Sequence, residues 1–169
     1  MIALFSVTWY HHIRECDKPC KMACRTLTLP WGNEDTQTLI DILARYNVKT
    51  TFFVVGDWVE KYPESVRALH EAGHEVMSHS SHHDHYSSLS AEQIVADVQD
   101  SCEKIEAVTG ECPTLIRCPY GEYDDHVISA IRSIDMEPIQ WSVEQGETAS
   151  SPVISTVCGI LESTTKSKF

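Results

Sequence analysis

The densest chemistry in the sequence is a run of four histidines within seven residues, His79, His82, His83 and His85. His79 and His83 form the pattern His-Ser-x-x-His, and both imidazoles could point at one divalent cation, since imidazole nitrogen suits zinc, cobalt or nickel. Two imidazoles do not complete a tetrahedral site. The competing reading is a polar, exposed loop that simply carries many histidines, and the residues alone leave both open. A second candidate stretch is Arg117-Cys118-Pro119-Tyr120-Gly121. Three cysteines crowd the N-terminus at Cys16, Cys20 and Cys24, but no C-x-x-C pair accompanies them, so incidental thiols explain them better than a zinc site. Seven cysteines is an odd number, which leaves at least one thiol unpaired within the chain.

The elements that must position these residues read as alternating helices and strands. Leu39, Ile42, Leu43 and Tyr46 recur at helical spacing, which predicts a helix over Asp35 to Tyr46 that Asn47 ends. Thr50 to Val55 is rich in β-branched and aromatic residues and is bounded by Gly56, as a buried strand requires. Asp57 to Ala72 reads as helical with a break at Pro63, which fits the first turn of a second helix, and Gly73 stops it. Ser90 with Gln93 makes a capping box before a stripe of Ile94, Val98, Cys102, Ile105 and Val108 that runs to Gly110. Further strands are expected at Glu75 to Ser78, Leu115 to Cys118 and Pro138 to Val143, with a helix over Asp124 to Ile134. Such alternation implies a parallel sheet with helical crossovers, in which chemistry gathers at the carboxyl ends of the strands. Both candidate stretches fall there.

The chain has 169 residues, enough for one domain, and is 42% hydrophobic and 22% charged, as in a globular protein. Its net charge of -12 opposes electrostatic binding to a phosphate backbone, so no nucleic-acid partner is expected. No apolar run is long enough to span a membrane. Met1 to Tyr10 lacks a basic start and is interrupted by Trp9 and Tyr10, so no secretory leader is expected, and the compartment stays open.

The chain resembles the polysaccharide deacetylases, the NodB-homology domain of carbohydrate esterase family four. The resemblance rests on five stretches in the family's order. They are Thr51-Phe52-Phe53-Val54-Val55-Gly56, Glu71-Ala72-Gly73-His74-Glu75, His79-Ser80-Ser81-His82-His83, Arg117-Cys118-Pro119-Tyr120-Gly121 and Gln140-Trp141-Ser142-Val143. It implies an α/β fold, an irregular (β/α) barrel that is incomplete here. It also implies a hydrolase that removes N-acetyl groups from a polysaccharide such as chitin or peptidoglycan, with an acetylated polysaccharide or oligosaccharide as partner, often at the cell surface. By the same resemblance, His79 and His83 are metal ligands, with zinc expected before cobalt or nickel. Arg117 orients a catalytic base, and the backbone N–H of Tyr120 stabilises the oxyanion. Pro119, Tyr120 and Trp141 line the substrate, although a core role explains Trp141 about equally well.

Departures from the family pattern are as informative. Where the family carries Phe-Asp-Asp-Gly or Phe-Asp-Ala-Ala, this chain has Leu27-Thr28-Leu29-Pro30. Thr28 stands at the base position and Leu29 at the third metal position, and neither can do the work of a carboxylate. Codons for Phe-Asp-Ala-Ala read from their second base encode Leu-Thr-Leu-Pro, which suggests a shifted frame up to Pro30. After Val143 no Asp-Trp pair follows, and no histidine follows His126, so the general acid is expected to be missing. The expected division is an atypical segment over 1–30, a deacetylase domain over 31–145 and an atypical tail over 146–169. Turnover is expected to be impaired and metal binding weak, with a non-catalytic carbohydrate-binding relative or an inactive product as the alternative. Glu34 and Asp35 are read as helix-start residues, Asp124 and Asp125 likewise. His82, Asp84 and His85 are read as solvated, and His74 as structural.

Overall fold

A computed structural model of the chain describes residues 26–29, 33 and 36–140. Strands β1 (Thr26–Leu29), β2 (Thr51–Val54), β3 (Glu75–Ser78), β4 (Leu115–Ile116) and β5 (Glu137–Pro138) form one sheet in the order β1-β2-β3-β4-β5. All four pairings are parallel. Sequential order means that every crossover advances by one strand in the same direction, which with right-handed crossovers puts the helices on one face. That is the winding of an incomplete (β/α) barrel and not of a doubly wound sheet, in which the order reverses.

The helices are α1 (Thr36–Arg45), α2 (Gly56–Lys61), α3 (Pro63–Glu71), α4 (Ala91–Thr109) and α5 (Asp125–Arg132). Pro63 sits at the first position of α3, where its missing N–H costs nothing and its fixed φ suits the turn. In α4 the Ser90 side chain accepts from the Gln93 amide while the Gln93 side chain accepts from the Ser90 amide, so both halves of the capping box form. Gly110 ends α4 at φ 77, a left-handed conformation that a residue with a Cβ resists. Asp124 caps α5 by accepting from the Val127 amide.

Alternation along β2 divides its side chains between two faces. Phe52 and Val54 join Val76 of β3, Leu39 and Leu43 of α1, Trp58 and Val59 of α2 and Leu69 of α3 in one apolar cluster. A second cluster gathers Ile94 and Val98 of α4, Ile116 of β4 and Val127 and Ile131 of α5. Phe53 is fully buried but belongs to neither cluster, because it faces the other way, as its register partner Met77 does.

Three strands are shorter than the sequence suggests, and β2 is the first, covering Thr51–Val54 of the expected Thr50 to Val55. The strand expected over Leu115 to Cys118 ends at Ile116: the Arg117 amide still pairs with the Ser78 carbonyl, and Cys118 opens the turn that carries Pro119 and Tyr120. The last strand begins one residue early at Glu137, and the residues from Trp141 to Val143 lie outside the described set. A short 3-10 turn over Tyr86–Ser88 was not expected. Strand β1 lies upstream of residue 31 and pairs in full with β2. No described helix is long and apolar enough to cross a membrane.

Candidate active site

Four neighbouring strands deliver their carboxyl ends to one place. Leu29 is the register partner of Val54, the Val54 carbonyl accepts from the His79 amide at 2.9 Å, and the Ser78 carbonyl accepts from the Arg117 amide at 3.0 Å. Positions 29, 54, 78 and 116 therefore lie side by side across the sheet, with His79 and Arg117 one residue further on, and the loops after β3 and β4 leave from adjacent points.

His79 is buried, and its Nδ1 lies 2.7 Å from the Arg117 carbonyl. A carbonyl can only accept, so Nδ1 carries the proton and the lone pair of a neutral ring resides on Nε2, the arrangement that a metal-ligating or proton-accepting histidine needs. Burial pushes the His79 pKa down to about 4, against a smaller upward pull from the Arg117 carbonyl, so the ring is neutral near pH 7. His83 lies beside it, with ring centroids 5.0 Å apart. Its backbone turns at φ 59, and its amide donates to Ser80 Oγ at 2.9 Å, which closes the loop between the two rings.

The close seat of this loop explains Gly56. Its amide donates to the Ser80 carbonyl at 2.9 Å, and a Cβ at residue 56 would stand 2.7 Å from Ser81 Oγ. A side chain there would push the histidine loop off the corner between β2 and α2.

From β4, Arg117 is buried and lays its guanidinium 4.2 Å from the centroid of Phe53, a cation-π contact on the face of the sheet away from the helices. Pro119 is buried in a short turn with Tyr120 and Gly121. Tyr120 adopts φ 55, a strained conformation for a residue with a side chain, of the kind that clusters at functional sites. Its ring meets the edge of His83 at 4.7 Å and stacks on His85 at 3.8 Å.

The structure thus brings His79, His83, Arg117, Pro119 and Tyr120 together. Trp141 lies outside the described residues, as do Glu34 and Asp35, while Thr28 and Leu29 are described as strand positions only. His82 and His85 are exposed, as expected, yet each has a fixed partner. His82 Nδ1 lies 3.0 Å from Asp57, which raises its pKa chiefly through that hydrogen bond. His85 Nδ1 lies 2.8 Å from Glu122, whose other oxygen accepts from the Ser87 amide and hydroxyl. Glu122 thereby ties the β3 loop to the β4 loop and holds His85 against Tyr120. Sequence reading missed it, since nothing marks a glutamate after a Pro-Tyr-Gly turn. His74 is structural: it is buried, packs edge-on against Phe52, and its Nδ1 lies 3.4 Å from the Thr50 amide.

Among the described residues no group of three or more His, Cys, Asp or Glu side chains converges as a metal site requires. The two imidazoles suit a divalent ion, but the described donors stop at two, so this set does not fit a catalytic metal with three protein ligands.

The sequence profile of the polysaccharide deacetylase family matches residues 18–139. This chain belongs to the polysaccharide deacetylase family. Chitin deacetylase 1 of Cryptococcus neoformans is 36% identical over 107 residues, which cover 63% of this chain and 23% of that protein. The peptidoglycan-N-acetylmuramic acid deacetylase PdaC of Bacillus subtilis is 32% identical over 117 residues, 67% of this chain and 25% of that one. This deacetylase-family chain therefore spans about a quarter of the length of those curated relatives. Among solved structures it resembles a mutant, with restored enzymatic activity, of a family-four carbohydrate esterase pseudoenzyme from Bacillus anthracis. That likeness has a TM-score of 0.66 at 29% identity, over 72% of this chain and 50% of that one. The family assignment and the parallel α/β architecture agree with the five motifs and their order.

Proposed function

We propose that this chain is a polysaccharide deacetylase domain that recognises N-acetylated glycan of the chitin or peptidoglycan type and does not turn it over at a measurable rate. The observation that carries this reading is the register of β1. Thr28 and Leu29 stand opposite Phe53 and Val54, beside the strand ends that carry His79 and Arg117. A hydroxyl and an aliphatic side chain occupy the positions where the family has its base and third metal donor. Loss of a general base alone costs roughly 10² to 10⁴ in rate.

What remains is suited to recognition. The backbone N–H at Tyr120 is the proposed donor to an acetamide oxygen, and Pro119, Tyr120 and Trp141 are the proposed walls for the sugar. Arg117, with no carboxylate at position 28 to orient, keeps its packing on Phe53. Any divalent ion, zinc before cobalt or nickel, would be held weakly by His79 and His83. The likeness to a family-four pseudoenzyme from Bacillus anthracis supports the non-catalytic part of this reading.

Titration of the chain with an N-acetylated chito-oligosaccharide, with acetate measured in parallel, tests the reading. Saturable binding without acetate is expected. Acetate release that disappears in His83→Ala would overturn it.

A further inference from the structure

Behind the histidine loop lies a carboxylate that no part of the proposed chemistry uses. Asp97 projects from α4 and is 9% exposed. Its Oδ2 accepts from the Ser81 amide at 2.9 Å and from the Tyr86 hydroxyl at 2.6 Å, and its Oδ1 accepts from the His82 amide at 3.2 Å. Those donors bracket His83 in sequence. Ser81 and His82 lie before it and Tyr86, fully buried, lies after it.

A buried carboxylate on a helix interior is costly unless its oxygens are satisfied by donors in good geometry. Here three donors from one loop supply that, across a separation of 11 to 16 residues. The loop gains as much as the carboxylate. Ser80 and His83 both have positive φ, so the backbone between them is held in a conformation that it would not keep by local preference. The amides of Ser81 and His82 point away from the imidazoles, toward α4, and a helix fixed by its own capping box is a firm place to anchor them.

We infer that Asp97 is the positioning residue of the His79–His83 pair, with its carboxylate clamping the loop between and after the two histidines so that His83 stays against His79 and Tyr120. The inference rests on the reading of that pair as the working centre, but its test does not depend on turnover. An asparagine at residue 97 keeps the shape and one acceptor oxygen, yet turns an N–H₂ donor toward one of the loop's own donors. One buried N–H then loses its acceptor.

The test is amide hydrogen exchange with ring-to-ring nuclear Overhauser contacts on the full chain. In the unmodified protein the Ser81 and His82 amides should exchange as slowly as the sheet amides of Phe52 and Val54, although they lie in a loop. Exchange at open-loop rates would overturn the inference without any variant. In Asp97→Asn at least one of these amides should exchange roughly tenfold faster or more, and the His79–His83 and His83–Tyr120 contacts should weaken while Phe52 and Val54 stay protected. Tyr86→Phe, which removes only the hydroxyl donor, should keep both amides protected and the ring contacts intact. Unchanged ring contacts in Asp97→Asn, or the same loss in Tyr86→Phe, would overturn the clamp. Acetate release bears on the proposed function and leaves these outcomes unaffected.

Discussion

The carboxyl ends of β1, β3 and β4 lie at one end of the same sheet, with β2 between β1 and β3, and those of β3 and β4 carry reactive groups in an organised setting. At β3 and β4, a buried imidazole has its tautomer set by the Arg117 carbonyl, a second imidazole packs against it, and Tyr120 holds a strained backbone. At β1 the same level of the sheet presents Thr28 and Leu29. Backbone pairing is indifferent to that change: Thr26–Leu29 matches β2 residue for residue. Strand formation asks for β-branched and apolar residues and not for a carboxylate, so the pairing of β1 is blind to what its end contributes to chemistry.

The largest expected effect is catalytic. Acetate release from an acetylated chito-oligosaccharide should stay at background for the unmodified chain, given the roughly 10² to 10⁴ cost of a missing base. Thr28→Asp alone should leave it there, because position 29 still lacks a donor. Release by that single variant, measured by an acetate assay, would mean that β1 is closer to competence than its sequence implies.

Phe53→Ala probes the floor of the retained half. It removes a fully buried ring from beneath the Arg117 guanidinium and should cost about 3–5 kcal/mol in denaturant unfolding. A cost below about 1 kcal/mol would show that Arg117 does not depend on that ring.

The His79 pKa of about 4, against 6.5 for a free ring, makes the same region pH-sensitive. The folded chain resists the proton that the unfolded chain accepts. Its stability contribution is therefore complete above pH 6.5 and declines as pH falls toward 4, by about 3 kcal/mol in total. Unfolding curves across that window should be flatter in His79→Gln. An equally steep decline in that variant would assign the effect to other groups.

Ser90→Ala should have the smallest effect, about 1 kcal/mol, since it breaks the capping box of the helix that backs the histidine loop. Melting curves of the pair check it.

How much of this was legible depended on whether the signal was local. Capping at Ser90, the helix start at Pro63 and the stop at Gly110 depend on neighbours within a few residues, and they appear as the sequence implies. Strand β2 announced itself by composition. The early end of β4 did not, because the Arg117 side chain meets Phe53 and its carbonyl meets His79, both remote in sequence. His82, His85, Asp97 and Glu122 gained partners for the same reason, each across at least eleven residues. The His79 and His83 pairing was suggested by spacing, and the family motifs raised it above the alternative of an idle polar loop. Trp141 and the carboxylates at 34 and 35 lie outside the described residues.

The central claim is that the end of β1 lacks the donor that the end of β3 is prepared to share. Calorimetric titration with zinc of the unmodified chain and of Leu29→Asp tests it most directly. Weak binding that tightens by more than roughly tenfold in Leu29→Asp, and is lost again when His79→Ala is added, is the predicted result. Tight stoichiometric binding by the unmodified chain, abolished by His79→Ala, would contradict it.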